Sequence, residues 1–324
     1  MRPVIAIRPE SLAHIRNVAR SLQRQISRTL EPCALCECDT VDAADGDLVF
    51  VIGEHFARFH RRPERTYVYF NFSVVEVLGN PLVTTPSGWR QARYKASLMR
   101  RKLDLFDAVL DYYPPQTQVL QRKLPVPVFG FPVSVDPADI DPGPTAYDVC
   151  FVGGLNPRRR AVLDRLQASG LTVSPHSGVT LEDVAARSRL TLNIHALRSN
   201  HLETPRLIGA IATGSPVLTE RSYGIDTLVP PGLIPVAPTR RLARDAMHML
   251  AHPSELEALR HRVTVWYQDR YLPDCATAWD RLAEHLTALR QPTGGRSPTM
   301  QPASGSARPS CDRSPAGEPS PSLR

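Results

Sequence analysis

Apolar residues along this chain alternate between short unbroken runs and longer stretches at helical spacing. Val4–Ile7 is a run of the first kind; Leu12, Ile15, Val18, Ala19, Leu22, Ile26 and Leu30 then recur on one face of a helix. Further runs at Leu48–Ile52, Tyr67–Phe70, Ala108–Leu110 and Val126–Phe129 lack the polar alternation of a half-exposed strand. They predict parallel strands covered on both faces.

Just after Pro132 the pattern breaks. Between Val133 and Ala146 come Pro137, Pro142, Gly143 and Pro144 among several Asp, a composition that predicts an interdomain connection. The strand and helix series then restarts, with strands expected at Asp148–Val152, Leu171–Val173, Leu190–Ile194, Pro216–Leu218 and Leu233–Val236. Helices are expected at Pro157–Ala168, Leu181–Ala186, Pro205–Ala212, Thr239–Leu250, Ser254–Tyr267 and Ala276–Leu289, the last with Trp279, Leu282, Ala283, Leu286 and Leu289 on one face. Such alternation predicts an α/β protein with parallel sheets and right-handed crossovers.

A length of 324 residues exceeds what one core usually sustains, which favours two domains, 1–142 and 146–290. Two doubly wound, Rossmann-like sheets facing each other leave a crevice at their strand C-terminal ends, where such sheets bind ligands. The stretch 291–324 holds 7 Pro, 7 Ser and 4 Gly, with Leu323 as its one branched aliphatic. It is too poor in apolar surface to order itself and predicts a disordered tail.

The net charge of +7 raises the question of nucleic acid, but the basic residues are dispersed. The densest runs, Arg61, Arg62 and Arg65, then Arg100 to Lys102, then Arg158 to Arg160, are not interleaved with aromatics that could stack bases, so no nucleic-acid partner is expected. The start of the chain does not resemble a signal peptide and no run is long enough for a membrane span, from which a cytoplasmic location is expected. Cys33, Cys36 and Cys38 cluster without a second Cys or His pair at zinc-ligand spacing, so free thiols are expected rather than a metal site.

Two stretches suggest chemistry. In Phe151 to Arg160, Gly153 and Gly154 leave a strand without side chains, Asn156 suits an N-cap and Pro157 the first helical position, so backbone N–H groups would face whatever lies above. Three arginines in the first turn, Arg158, Arg159 and Arg160, oppose the helix dipole unless an anion is near, and Arg158 and Arg160 are the candidate ligand contacts. The second stretch runs from Asn193 and His195, across Glu203, Thr204, Pro205 and Arg206, to Glu220. Thr204 is expected to cap a helix begun by Pro205, again with a cation, Arg206, in its first turn, so that a diphosphate would satisfy both. Glu203 is placed to accept hydrogen bonds from ribose or sugar hydroxyls. In the N-terminal half, Glu54 and His55 follow a strand toward the same crevice, and one of them would be the general base if the reaction inverts configuration. No Asp-x-Asp pair stands at a strand end to bridge a divalent metal to a diphosphate, so neither a metal nor another cofactor is expected.

Asp148 to Arg160, Leu192 to His195, Leu202-Glu203-x-x-Arg206 and Gly214-x-Pro216-Val217-Leu218-x-Glu220 together resemble the C-terminal donor domain of bacterial glycosyltransferases, nearest to the family-1-like, spore-maturation type. Tyr67 to Phe72 resembles, more loosely, a strand of their N-terminal domain. The resemblance implies a GT-B fold, with a nucleotide-sugar donor held by the second domain, an unidentified acceptor by the first, and no catalytic metal. One departure stands out: where such enzymes often carry a ribose-binding Glu, five positions before the glycine that matches Gly214, this chain has Gly209. Another carboxylate such as Glu203 or Glu220 holds the ribose, or donor affinity is weak, or the fold is kept without catalysis. A GT-B-like binding protein and a GT-B nucleotide-sugar isomerase therefore remain alternatives to a transferase.

Overall fold

The computed structural model describes residues 2–52, 60–72, 105–196 and 202–289. The first half builds a six-stranded parallel sheet in the order β2-β1-β3-β4-β5-β6, from β1 (Pro3–Ile7), β2 (Ala34–Glu37), β3 (Leu48–Ile52), β4 (Thr66–Asn71), β5 (Ala108–Asp111) and β6 (Val128–Gly130). Every residue of β1 and β3 is buried, as unbroken apolar runs require of a sheet covered on both faces. The second sheet is parallel in the order β7-β8-β9, from β7 (Tyr147–Cys150), β8 (Ser188–Asn193) and β9 (Val217–Thr219).

A strand and a helix of the first half went unread in the sequence. Strand β2 lies at the sheet edge with Ala34 and Glu37 exposed, so it lacks an unbroken apolar run. Cys36 within it and Cys33 and Cys38 beside it are free thiols; burial pushes Cys33 and Cys38 up to about 12, and no metal-ligating cluster occurs among the described residues. Helix α2 (Pro114–Lys123) follows α1 (Pro9–Thr29) in chain order among the described helices and buries the polar Gln116 and Thr117. Both bond the Asp111 carboxylate, Gln116 Nε2 at 2.7 Å and Thr117 Oγ1 at 3.0 Å, so the helix has no apolar stripe to betray it.

Two expected strands shrink to single bridges. Val173 pairs with Val149 alone, because the Asp148 carboxylate accepts the Thr172 N–H at 3.0 Å in place of a ladder carbonyl. Val236 pairs with Thr219 alone; its neighbour Pro235 has no N–H to extend the ladder. The helices of this half are α3 (Pro157–Ala168), α4 (Leu181–Ala185), α5 (Thr204–Ala212), α6 (Ile225–Leu228), α7 (Thr239–Ala251), α8 (Pro253–Trp266) and α9 (Leu272–Ala288), with a π-helical turn at Tyr267–Tyr271.

The last helix does not stay with the second sheet. Trp279 lies with its ring 6.4 Å from Phe70 and 6.1 Å from Phe131, and His285 stacks on Phe129 at 5.1 Å. Arg28 of α1 pairs with Asp280 at 3.0 Å. The amphipathic face of α9 announces a buried helix but carries no information on which sheet receives it. The connection at 133–146 is likewise only partly a linker. Val133 and Val135 are fully buried, and Tyr267 Oη donates to the Val135 carbonyl at 2.6 Å while Tyr271 Oη donates to that of Val133 at 2.7 Å. Residues 1–290 form one compact unit. No helix among the described residues is long and apolar enough to cross a membrane.

Candidate functional site

The C-terminal ends of β7, β8 and β9 carry a cluster of three arginines and two carboxylates. Helix α3 begins as its residues dictate: Asn156 Oδ1 accepts the Arg159 N–H at 2.9 Å, and Pro157 holds the first position. Three consecutive arginines then point about 100° apart around the axis, and each meets a different fate. Arg159 is turned inward and is 4% exposed, with Nε donating to the Ile194 carbonyl and Nη1 to that of Gly154, both at 2.9 Å. Its guanidinium lies over the Phe151 ring at 5.2 Å. Its Nη2 is buried with no hydrogen-bond partner, 3.8 Å from Glu203 Oε1. Burial, and then the nearby Arg206, pushes Arg159 down to about 10.

Arg206, in the first turn of α5, donates through Nη1 to Glu203 Oε2 at 2.5 Å and to Asn193 Oδ1 at 3.2 Å. The two inward guanidinia meet at Gly153: a Cβ there would lie 3.2 Å from Arg206 Nη2 and 3.3 Å from Arg159 Nη1. Gly153 also has φ +141°, a conformation L side chains rarely adopt, so a side chain at this strand exit would be strained and would crowd both guanidinia. Across from the cluster stands the end of β5. Burial, followed by Asp111 and Glu203, raises the Tyr112 phenol well above its ordinary value, and Arg206 opposes them. Tyr112 therefore lies within electrostatic reach of Glu203 and Arg206, which brings the end of β5 near the cluster.

Several sequence-predicted site residues hold other positions. The Gly153 N–H donates to the His176 carbonyl at 2.8 Å and is not free for a ligand, whereas Gly154 is exposed with open space where a side chain would stand. Arg158 faces away from Arg159 and bonds the His195 carbonyl at 2.7 Å, Thr239 Oγ1 at 2.6 Å and the Glu220 carboxylate. Arg160 is exposed, and its side chain has no hydrogen bond or ion pair among the described residues. Glu220 is buried and fully engaged, accepting from Arg158 and Thr239 and, at 2.8 Å, from the His195 N–H. His195 is 2% exposed with Nε2 3.0 Å from Ser222 Oγ, and Asn193 Nδ2 donates to Thr219 Oγ1 at 2.9 Å; these groups bind the strand ends together.

Thr204 is not a cap. Glu203 takes the N-cap position without a side-chain bond to the helix, because its carboxylate is held by Arg206, and Thr204 becomes the first helical residue. Its hydroxyl is buried and unpartnered. Glu54 and His55 lie outside the described residues.

Arg159 is the principal residue of the cluster that the sequence did not single out from its two neighbours. The signal was present, since it stands three and four positions ahead of Val162 and Leu163, on the buried stripe that continues to Leu166. Glu182 was missed for a different reason: its relation to the site exists only in space. It is 4% exposed, accepts from Asn17 Nδ2 at 3.3 Å, and presses Oε1 into the place a Cβ would take at Gly209. Burial raises its pKa above the ordinary carboxylate value.

No family model and no curated protein matches the chain. Solved structures do match in fold. Anabaena HepE in complex with UDP and glucose superposes with a TM-score of 0.57 at 12% identity, over 89% of this chain and 100% of that one. Sucrose-phosphate synthase from Thermosynechococcus elongatus gives 0.52 at 13% identity, over 89% and 100%. The two parallel sheets with their covering helices thus share the GT-B fold of these structures.

Proposed function

We propose that the chain is a metal-independent glycosyltransferase that binds a nucleoside diphosphate sugar at the ends of β7 and β8 and transfers the sugar to an acceptor held against the first sheet. The observation that carries this reading is the meeting of Arg159 and Arg206 at Gly153, with the buried Nη2 of Arg159 unpartnered. Two cations desolvated side by side repel each other, and Glu203 offsets one charge of the two. A diphosphate supplies the missing negative charge and the missing acceptor. It also leaves the arginines placed to stabilise the leaving group as charge develops there. The likeness in fold to HepE, solved with UDP and glucose, supports the same assignment. The general base of an inverting reaction is proposed at Glu54 or His55, and the finer kinship is proposed to be the spore-maturation type.

Gly209 favours a second reading, a GT-B-like protein that binds without transfer. Glu182 fills the space beside the helix position where the resembling enzymes carry a carboxylate, and it does so buried against Asn17. A thermal-shift panel of nucleoside diphosphates and their sugars, followed by acceptor-dependent turnover in the presence of chelator, separates the readings. Saturation at 100 times the dissociation constant stabilises by about 2.7 kcal/mol. Binding without turnover against a broad acceptor panel selects the second reading. Donor conversion without any acceptor selects an isomerase, and activity restored only by Mg²⁺ or Mn²⁺ removes metal independence.

A further inference from the structure

Arg158 leaves the crevice and borders a separate cavity of about 580 Å³ between α3 and the start of α7. Its volume is in the range of small-molecule sites. The walls carry Arg165 and Arg240 as well as Arg158, Thr239 contributes a hydroxyl, and Val162 with Ala161 supplies an apolar floor. The arginines differ in their engagement. Arg158 is bound to Glu220, whereas Arg165 and Arg240 have no side-chain hydrogen bond or ion pair among the described residues. Elsewhere on the surface Arg2, Arg24, Arg28 and Arg61 each pair with an aspartate. Two uncompensated guanidinia facing one cavity raise its potential for anions, and low-dielectric walls concentrate that field.

We propose that this groove is a second anion site, which takes a phosphoryl group between Arg165 and Arg240 and lays the apolar part of an organic phosphate on Val162 and Ala161. It is distinct from the Arg159 and Arg206 site, because Arg158 and Arg165, seven residues apart on one face of α3, leave that helix in a different direction from the inward Arg159. Arg158 and Thr239 border both the groove and the strand ends, Arg158 through its bond to the His195 carbonyl and both through bonds to Glu220.

The test is calorimetric titration of the full chain with pyrophosphate at fixed ionic strength, comparing wild type, the double variant Arg165→Ser with Arg240→Ser, and Arg206→Ala. Wild type is expected to show two binding events. The double variant loses one, by at least tenfold in affinity, and Arg206→Ala keeps that one. Arg165→Lys with Arg240→Lys restores part of the lost affinity, and melting curves check that each variant folds. Phenylglyoxal labelling read by mass spectrometry locates the event: pyrophosphate protects Arg165 and Arg240. Equal affinities and event counts in wild type and the Ser double variant, or labelling of both arginines unaffected by pyrophosphate, overturn the site. Loss of all binding in Arg206→Ala overturns it too, whereas loss confined to the other event leaves this site intact and speaks only to the crevice.

Discussion

Glu182 and Gly209 occupy complementary space: the Glu182 carboxylate stands where a side chain at 209 would begin. Gly in a helix interior ordinarily costs about 1 kcal/mol against Ala, so Gly209→Ala would stabilise α5 if the site were open. Here the new methyl displaces a buried carboxylate bonded to Asn17, and overpacking of this kind costs roughly 1 to 3 kcal/mol. Gly209→Ala is therefore expected to lower stability in the native background and to raise it in Glu182→Ala. Urea unfolding of the four proteins of this cycle measures the coupling; additive effects would show that the two positions do not share space.

Arg206→Ala should weaken binding of the best nucleoside diphosphate about ten- to a hundredfold, the loss of a charge-assisted hydrogen bond to phosphate. Its ligand-free stability should change by less than about 1 kcal/mol. The bond to Glu203 is part-buried, but Arg159 remains to compensate that carboxylate, and a cation is removed from a helix N-terminus. A drop in melting temperature with unchanged affinity would make Arg206 a purely structural residue.

Asp111 gives the fold a defined pH dependence. Burial pushes its pKa from 3.8 up to about 6, although Asn71, Gln116, Tyr113 and Thr117 all donate to it. The folded state then holds the proton more tightly than the unfolded state, so this contribution is fully present below about pH 4 and is lost as pH rises through about 6. At roughly 1.4 kcal/mol per pH unit, that loss is about 3 kcal/mol. The stability of wild type relative to Asp111→Asn should fall across this window, and a difference that is flat from pH 4 to 7 would remove Asp111 as its source.

Truncation after Arg290 should leave the melting temperature of the remaining chain almost unchanged, since 291–324 offers almost no apolar surface to bury. A fall of several degrees on differential scanning calorimetry would show that the tail packs on the folded part.

The chain's own pattern determined the alternation of strands and helices, the parallel sheets, and the start of α3 at Pro157, because burial on both faces, helical period and capping are local properties of neighbouring residues. Polar burial defeated it at α2, and an edge position defeated it at β2, where the apolar signal is weak or absent. Tertiary structure alone decided what is non-local. It sent the apolar face of α9 to the first sheet, sorted Arg158, Arg159 and Arg160 into groove, site and solvent, and set Glu182 against Gly209. Each outcome depends on which surface lies opposite, and no spacing along the chain encodes a partner brought in from another element.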